Sequence, residues 1–389
     1  MNKLRQFVSA RLPISIRREL KRIFCGRPPI CPQIYAWAKA NPQHADIVKE
    51  FWGPHQSRRE LPQGLGSAQQ IPERFSKHLE YPLYEKTLFR IKNVTMRGRE
   101  GILLLPDGKV THQTGWALDH VTETMAYKKK WRGPEIFKKG NYSTLILYWG
   151  LGYYHWFKDV LAMLHETLEL IPKNTIFLMP KGFENFYLGD FYLKSLCALG
   201  VGKDRVVEFD GTESWMFENF WWQPPAVHCD DQTPGSMQWI GEKVSEAVPR
   251  LMDENPVRVY ISRALPFARI LVNEAELLPL LSEMGFQVCR LESMTFEEQV
   301  RLFRNAEVVV GPHGAGFTNL IFSKPGTRVV EIMAKGYERR CYWTLSAELG
   351  HDYRFYLGSP KFPERKGEPD INLNINSFLN LLKTSLGKI

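Results

Sequence analysis

Between residues 257 and 333, short apolar runs alternate with longer amphipathic ones, and this alternation limits the possible folds more than any other feature. The apolar runs are rich in Val and Ile, as in VRVYISR, VVVG and TRVVEIM, and are typical of buried strands. The runs AELLPLLSEMG and FEEQVRLFRNA carry apolar residues at helical spacing. Strands that alternate with helices form a parallel sheet with helices on both faces.

A second series of the same kind comes earlier in the chain. Its predicted strands lie at 143–149, 175–180 and 205–210, and its predicted helices at 155–170 and 183–200. The chain has 389 residues, and at roughly 150 residues per domain this leaves room for both series. We therefore predict an α/β fold in which two Rossmann-like, doubly wound domains face a cleft.

The remaining segments set the predicted boundaries. Residues 1–80 form a basic N-terminal segment, 81–240 the first domain and 241–389 the second. Short strands and turns are predicted in 81–131, whereas residues 26–72 show no clean periodicity. Within the second domain, two helices begin with a capping-box pattern, Asn273 with Glu276 and Thr295 with Glu298.

The charge of the chain favours anionic partners. Its 51 Lys and Arg against 42 Asp and Glu give a net charge of +9, which suits phosphates, sugar nucleotides, nucleic acid or an acidic membrane. Residues 1–24 hold seven basic residues among apolar ones. They fit either a helix on anionic lipid or a solvated leader. Nucleic-acid binding is disfavoured because the charge is spread along the chain and no known module is present.

Cysteine usage and hydropathy bear on location. The six cysteines are scattered, with no CxxC pair and no Cys/His cluster at zinc spacing, so we expect a reducing compartment and no metal. No apolar stretch reaches the roughly 18 to 20 residues of a membrane span, and no secretory signal is recognisable. We expect a cytoplasmic protein that needs no cofactor.

A glycine-rich turn follows the predicted strand VVVG. It runs Gly311-Pro312-His313-Gly314-Ala315-Gly316 and leads into a helix with Thr318 and Asn319. Such a turn lets a diphosphate approach the backbone near helical N–H groups. It matches neither the Walker loop nor GxGxxG. Taken alone, a turn of this kind is as often merely a tight connection.

Polar residues follow or interrupt the neighbouring strands. Arg263 ends one strand, with Arg269 and Asn273 beyond it, and two guanidinium groups at that edge suit phosphate. Surface arginines are the alternative. Glu331 lies within the next strand, where a charge needs a partner, either a ribose diol or a buried arginine.

His155 and Asp159 lie at the start of the first predicted helix of the first domain. They are four residues apart, so they share one helix face and can touch. A carboxylate that orients an imidazole is a usual arrangement for a general base. A histidine at a helix start is more often a cap or a packed polar residue.

These residues together resemble glycosyltransferase family 61. The similarity rests on YYHWFKDVL, YISR, TFEEQVRLF, VVVGPHGAGFTNLIF and VVEIM, within about residues 148–354. The resemblance implies a two-domain GT-B enzyme that inverts the anomeric centre of a nucleotide sugar, usually UDP-linked, without a metal. No DxD motif precedes the cleft residues.

The resemblance also implies roles for the candidate residues. Arg263 and Arg269 would face the diphosphate, together with Asn273. His313 to Gly316, with Thr318 and Asn319, would cradle it, and Glu331 would hold the ribose. His155, or Asp159 through it, would deprotonate the acceptor hydroxyl.

The eukaryotic members of this family are typically secretory and membrane-anchored, and no signal or anchor is recognisable here. We therefore expect a cytoplasmic enzyme of the bacterial kind that builds capsule or lipopolysaccharide on glycan or lipid-linked glycan acceptors, at the inner face of the inner membrane. The alternative from another class is a non-catalytic protein that binds nucleotide or anionic polysaccharide on the same scaffold.

Overall fold

The strands and helices below belong to the part of the chain that the computed structural model describes: residues 30–31, 33–65, 71–111, 134–147, 149–182, 190–227, 230–251, 255–263, 268–361 and 368–387. The basic segment 1–24 lies outside these ranges, as do residues 183–189 of one predicted helix. Within them, no helix is long and apolar enough to cross a membrane.

The strands fall into two large sheets and one two-stranded antiparallel sheet, formed by His55–Arg58 with Glu80–Leu83. In chain order they are β1 Ile30–Cys31, β2 Ala45–Trp52, β3 His55–Arg58, β4 Gln63–Gly64, β5 Glu80–Leu83, β6 Lys86–Ile91, β7 Val94–Arg97, β8 Ile102–Leu104, β9 Val110–Thr111, β10 Glu135–Thr144, β11 Ile176–Pro180, β12 Val206–Phe209, β13 Ser214–Trp222, β14 Val257–Ile261, β15 Phe286–Cys289, β16 Ala306–Pro312, β17 Arg328–Ala334, β18 Asp352–Lys361 and β19 Asp370–Asn372.

The helices connect the strands and cover the sheets. They are α1 Ile34–Ala40, α2 Glu73–Ser76, α3 Tyr153–His155, α4 Asp190–Ala198, α5 Ser236–Ala247, α6 Glu274–Glu283, α7 Phe296–Arg304, α8 Cys341–Leu349 and α9 Ile375–Leu386. Helix α3 continues as a π-turn, Trp156–Val160, and a 3₁₀ turn, Leu161–Leu164. Further 3₁₀ turns are Lys203–Arg205, Leu291–Ser293 and Ala315–Phe322.

The second sheet has the order β15-β14-β16-β17-β18, all parallel, with β19 antiparallel at the far edge. Because β14 lies between the two strands that follow it in the chain, the order reverses between β14 and β16. Ligands of open α/β sheets bind in the crevice beyond the carboxyl ends of the strands at such a reversal. The predicted doubly wound arrangement is therefore present in this half.

The first sheet is mixed rather than purely doubly wound. Strands β13, β10, β11 and β12 are parallel, but β6 and β7 pair with β13 in the antiparallel sense and bring β2, β8 and β9 with them. The parallel part again places its first strand, β10, between β13 and β11. The prediction of a second doubly wound sheet holds only for these four strands.

Residues before 81 contribute to both sheets, although residues 26–72 show no clean periodicity in the sequence. Strand β2 pairs with β6 in the first sheet, and the short β4 pairs with β18 in the second. Leu65, just after β4, is fully buried among side chains of the second sheet. The N-terminal segment therefore crosses from one sheet to the other.

The helix predicted at 155–170 is shorter than expected. It begins at Tyr153, and helical geometry ends at Leu164. Glu166 then adopts a left-handed conformation, with φ of 64°, and its carboxylate accepts a hydrogen bond of 2.6 Å from Lys86. Lys86 is fully buried. Because the buried Lys86 ammonium needs a counterion, Glu166 leaves helical geometry to pair with it, and the helix ends earlier than its apolar pattern predicts.

One capping box is confirmed and the other is wrong. Thr295 and Glu298 bond each other's backbone N–H groups at the start of α7. Asn273 makes no side-chain cap, because its amide donates to the carbonyl of Leu373 and accepts from the Leu373 N–H. Asn273 instead fastens the start of α6 to the end of β19.

A continuous apolar core joins the helices of the two sheets. Phe157 stacks on Phe191 from the first half and on Phe296 from the second, with ring centroids 6.1 and 6.2 Å apart. Helix α5, which the sequence did not predict, packs against both halves. A Cβ added at its Gly241 would lie 1.9 Å from the Ile321 carbonyl oxygen, so this close approach requires glycine.

Candidate functional site

The glycine-rich turn lies at the reversal point of the second sheet. Arg263 follows β14, and His313 and Gly314 follow β16, so all three stand at the carboxyl ends of the strands that flank the crevice. A Cβ added at Gly314 would lie 1.9 Å from Nη1 of Arg263. The absence of a side chain at Gly314 therefore lets the guanidinium rest directly on the turn.

The other two glycines of the turn serve packing. A Cβ on Gly311 would lie 2.8 Å from the Ile261 carbonyl oxygen, and one on Gly316 would lie 2.8 Å from the Leu291 side chain. Both contacts hold β16 and its turn close to β14 and its neighbour. Ala315 is exposed at the tip of the turn.

Two arginines share this crevice without full compensation of their charge. Burial, and the adjacent positive charge of Arg269, lower the pKa of Arg263. Among the described residues, Arg263 donates only a long hydrogen bond, 3.4 Å, to the Ala268 carbonyl, and the Arg269 Nε lies 3.9 Å from Glu368. Both Nε atoms are buried and have no hydrogen-bond partner among the described residues. Two adjacent cations with unpaired donors form a site for an anion.

The backbone conformation of Arg269 also indicates that the crevice is a binding site. Its φ is 61°, in the left-handed region that residues with side chains rarely adopt. Backbone conformations of this kind cost free energy and cluster at ligand-binding and active sites. The strained backbone holds the second guanidinium beside the first.

Glu331 has protein partners for both carboxylate oxygens. His313 Nδ1 hydrogen-bonds one oxygen, and the Tyr353 hydroxyl donates to the other at 2.5 Å. Glu331 is 0% exposed. The arginine partner considered for it is therefore wrong. Contact with a ribose stays a prediction, and in this structure Glu331 orients the His313 ring.

A second histidine and carboxylate pair lies at the carboxyl edge of the first sheet. His155 Nδ1 and Asp159 Oδ2 are 2.6 Å apart, and the Lys158 ammonium donates to the other Asp159 oxygen at 2.7 Å. Burial disfavours the ionised carboxylate, but the Lys158 charge and the His155 ring outweigh it and hold the pKa of Asp159 below its ordinary 3.8. Asp159 is thus an anion that fixes the imidazole.

Tyrosine rings connect the two histidines across the halves. Tyr154 packs edge-on against His155, with centroids 5.3 Å apart, and against Tyr342 at 5.7 Å. Tyr342 in turn lies 5.3 Å from the His313 ring. Burial raises the pKa of both tyrosines well above the ordinary value, so they are neutral. The structure therefore brings His155 and the His313 turn to one place.

Asn319 and Thr318 lie beneath the turn rather than at its surface. The Asn319 amide donates to Gln299 at 2.9 Å and accepts from Tyr153 at 2.6 Å, which ties the second half to the first. Thr318 is buried, and its hydroxyl adjoins that of Tyr342 without a hydrogen bond of normal geometry. Asn273, whose amide is occupied by Leu373, is the predicted binding residue that the structure keeps apart from the others.

Sequence reasoning missed the tyrosines of the site. Tyr154, Tyr342 and Tyr353 are spread over some 200 positions and lie in apolar patterns that predict core packing. One available signal was the partner that a buried Glu331 requires, for which the sequence suggested a ribose diol or an arginine but not a tyrosine hydroxyl. Tyr154 also neighbours His155 in sequence.

The described residues contain no group of three or more His, Cys, Asp or Glu side chains arranged to hold a metal ion. Independence from metals stays a prediction.

Comparison with known proteins bears on these residues. Residues 153–330 match the family model described as Glycosyltransferase 61. The predicted resemblance is confirmed over that segment. The glycosyltransferase 61 segment contains every candidate residue except Glu331, which follows its last position directly.

Curated relatives match shorter parts of the chain. It is 46% identical over 53 residues to a beta-1,2-xylosyltransferase of Oryza sativa subsp. japonica, covering 14% of this chain and 10% of that protein. It is 32% identical over 111 residues to an EGF domain-specific O-linked N-acetylglucosamine transferase of Drosophila melanogaster, covering 28% and 21%. It is 36% identical over 113 residues to protein O-linked-mannose beta-1,4-N-acetylglucosaminyltransferase 2 of Xenopus laevis, covering 27% and 19%. The matches thus span about a tenth to a fifth of these relatives.

Proposed function

We propose that this chain is an inverting glycosyltransferase that moves a sugar from a nucleotide sugar to a hydroxyl of a glycan or lipid-linked glycan acceptor. The observation that carries the proposal is the pair of incompletely compensated arginines, Arg263 and Arg269, at the reversal point of the second sheet. A nucleoside diphosphate leaving group develops charge that such preorganised donors stabilise. The glycosyltransferase 61 match and the named relatives support the same reaction class.

The base in this proposal is His155, with Asp159 as its positioning residue. Both oxygens of Asp159 already have protein partners. The His155 side chain is 29% exposed, and its ring packs against Tyr154, which in turn packs against Tyr342 of the half that carries the arginines. An inverting displacement needs one base on the side of the sugar opposite the leaving phosphate. His155 would take the proton of the acceptor hydroxyl, and Asp159 would stabilise the imidazolium that forms.

The remaining features of the proposal follow from the resemblance. The donor is UDP-linked, no metal takes part, and the two halves act as the two domains of a GT-B enzyme. The biological setting proposed is bacterial capsule or lipopolysaccharide synthesis in the cytoplasm, with residues 1–24 resting on the inner face of the inner membrane.

A donor screen tests the proposed reaction. We expect UDP-sugars to raise the Tm, and GDP- and CMP-sugars to raise it less, because a ligand at 100 times its Kd stabilises the folded state by about 2.7 kcal/mol. Slow donor hydrolysis should accompany binding of the correct donor. If none of these donors shifts the Tm, the donor site is wrong. Binding without any hydrolysis or transfer would favour the non-catalytic alternative.

A smaller change in the turn should also weaken donor binding. In Gly314→Ala the new methyl group would lie 1.9 Å from Arg263 Nη1, so the guanidinium must move away from the turn. We expect the Kd for UDP, measured by calorimetry, to rise at least about tenfold, or 1.4 kcal/mol. Gly53→Ala is the matched control, since a Cβ there meets nothing within 4 Å. An unchanged Kd in Gly314→Ala would show that the diphosphate does not depend on this contact.

A further inference from the structure

A cavity of about 510 Å³ lies between the N-terminal segment, helix α8 and the start of β18. Its walls are formed by residues 58–63, by Tyr81, and by one face of residues 343–353, and Gln232 closes one side. Its volume falls within the roughly 300 to 1,000 Å³ of small-molecule sites. Of the lining residues, Gln232 alone lies in the glycosyltransferase 61 segment. The cavity is therefore built by parts of the chain outside the family match.

The cavity carries slightly more negative than positive charge, unlike the arginine crevice. Arg59 donates to Asp231 at 2.9 Å, and its guanidinium lies 3.6 Å from the centroid of the Tyr81 ring. Asp352 is paired with Arg328 at 2.8 Å. The acidic lining residues are Glu60, Glu348 and Asp352, and the basic ones are Arg58 and Arg59. With more carboxylates than cations, this lining disfavours a phosphate.

Two of the lining side chains, Gln232 and His351, carry buried polar atoms beneath the cavity wall. Gln232 is 3% exposed, and its Oε1 has no hydrogen-bond partner among the described residues. Both ring nitrogens of His351 are likewise buried without a hydrogen bond of normal geometry. Burial lowers the pKa of His351 to about 4, against a small opposing effect of the Ser323 backbone, so the ring is neutral at pH 7. A neutral imidazole offers one donor and one acceptor.

This combination of groups suits a sugar ring. Each sugar hydroxyl both donates and accepts a hydrogen bond, so it suits a lining that mixes carboxylates, guanidinium groups and the Gln63 amide. Tyr81 and Trp343 supply aromatic walls for the C–H groups of the ring. Pockets of this kind, with aromatic walls and a few polar groups, are typical of small-molecule sites.

Two hydrogen bonds connect the cavity to the candidate active site. The Gln232 amide donates to the Tyr154 hydroxyl at 3.1 Å, and Tyr154 packs against His155. Tyr353, also a lining residue, donates to Glu331, which holds His313. A ligand in the cavity would therefore touch residues that position both histidines.

We propose that this cavity binds a neutral sugar unit of the acceptor glycan and so selects the acceptor, an inference that rests on the proposed glycosyltransferase function. Because its walls come from residues 58–63 and from α8, acceptor choice would be specific to this chain and not shared through the family segment.

Saturation-transfer NMR with a panel of methyl glycosides of glucose, galactose, mannose and xylose tests the proposal. We expect at least one glycoside to bind wild-type protein and to stay bound when UDP is added. Tyr81→Ala removes one aromatic wall and should weaken that binding at least tenfold. Tyr84→Ala, which removes a tyrosine that is 44% exposed and outside the lining, is the matched control. Arg58→Ala, at an exposed lining position, is a second variant should Tyr81→Ala fail to fold.

Calorimetry with UDP on the same samples separates the acceptor-subsite proposal from the donor-site proposal. We expect Arg263→Ala to lose UDP binding and keep glycoside binding, and Tyr81→Ala to do the reverse. If no glycoside binds, if UDP displaces it, or if neither lining variant weakens it, the cavity is not an acceptor subsite, whatever the result with UDP. If wild-type protein fails to bind UDP, the donor proposal fails even where glycosides bind.

Discussion

Arg263→Ala is expected to raise the Kd for UDP at least a hundredfold while leaving the fold intact. The guanidinium lies on the Gly314 turn at the reversal point of the second sheet, with a buried Nε that has no partner among the described residues. Hydrogen bonds to charged groups contribute about 1.5 to 3 kcal/mol each. Loss of a forked pair therefore removes about 3 kcal/mol, or two powers of ten.

The thermal stability of ligand-free Arg263→Ala, in contrast to its affinity for UDP, should not fall. Arg263 and Arg269 repel each other, and burial adds a further cost to the Arg263 charge. Removing one cation relieves both costs, so the Tm of Arg263→Ala without ligand should equal or exceed that of wild type. A purely structural arginine would behave otherwise, because its removal would lower the Tm.

Two further variants make this test specific. Arg263→Lys keeps the charge but loses the planar fork, and its UDP affinity should lie between those of wild type and Arg263→Ala. Arg258→Ala changes an arginine on the same strand, whose side chain donates to the Met284 carbonyl, and it should bind UDP normally. Unimpaired UDP binding by Arg263→Ala would remove Arg263 from the diphosphate site.

The sequence predicted the second half of the fold better than the first. Strands β14, β16 and β17 are parallel and largely buried, and their Val- and Ile-rich runs mark them clearly. In the first sheet, β13 was missed because its pattern, SWMFENFWW, alternates imperfectly, and it pairs with strands on both sides in opposite senses. Pairing of this kind depends on contacts distant in sequence.

The residues of the candidate site were likewise predicted only where a local sequence pattern marks them. Local pattern located Arg263, Arg269, the 311–316 turn and the His155 and Asp159 pair. It did not give Tyr342 or Tyr353, which reach the site from later elements of the second half. Asn273 and Thr295 have the same capping pattern, yet only Thr295 caps its helix, because β19 lies beside Asn273 and offers better partners.

The second large effect is expected at His155. In His155→Ala, kcat for sugar transfer should fall by about 10² to 10⁴, the usual contribution of a general base. The Kd for UDP should stay unchanged, because the arginine crevice lies on the other half. Rapid-quench measurement of single-turnover transfer, together with calorimetry, separates the two steps. His55→Ala, at an exposed histidine on β3, is the matched control.

Asp159→Asn should behave differently, although it touches the same ring. Lys158 is 1% exposed and donates to the Asp159 carboxylate, so the amide would remove a negative charge that faces a buried ammonium. Breaking a buried ion pair in this way costs about 3 to 5 kcal/mol. We therefore expect Asp159→Asn to lower the Tm markedly, whereas His155→Ala changes it little.

The pH dependence of the Tm difference between wild type and Asp159→Asn follows from the lowered pKa of Asp159. A carboxylate with a depressed pKa in the folded state stabilises the fold above its unfolded value, near 3.8, and loses that contribution as pH falls through the lower folded value. The gap in Tm between wild type and Asp159→Asn should thus narrow as pH falls below about 5. A gap that stays the same into strong acid would show that the Asp159 charge is not what stabilises the fold. If His155→Ala retains transfer at the wild-type rate, the base lies elsewhere.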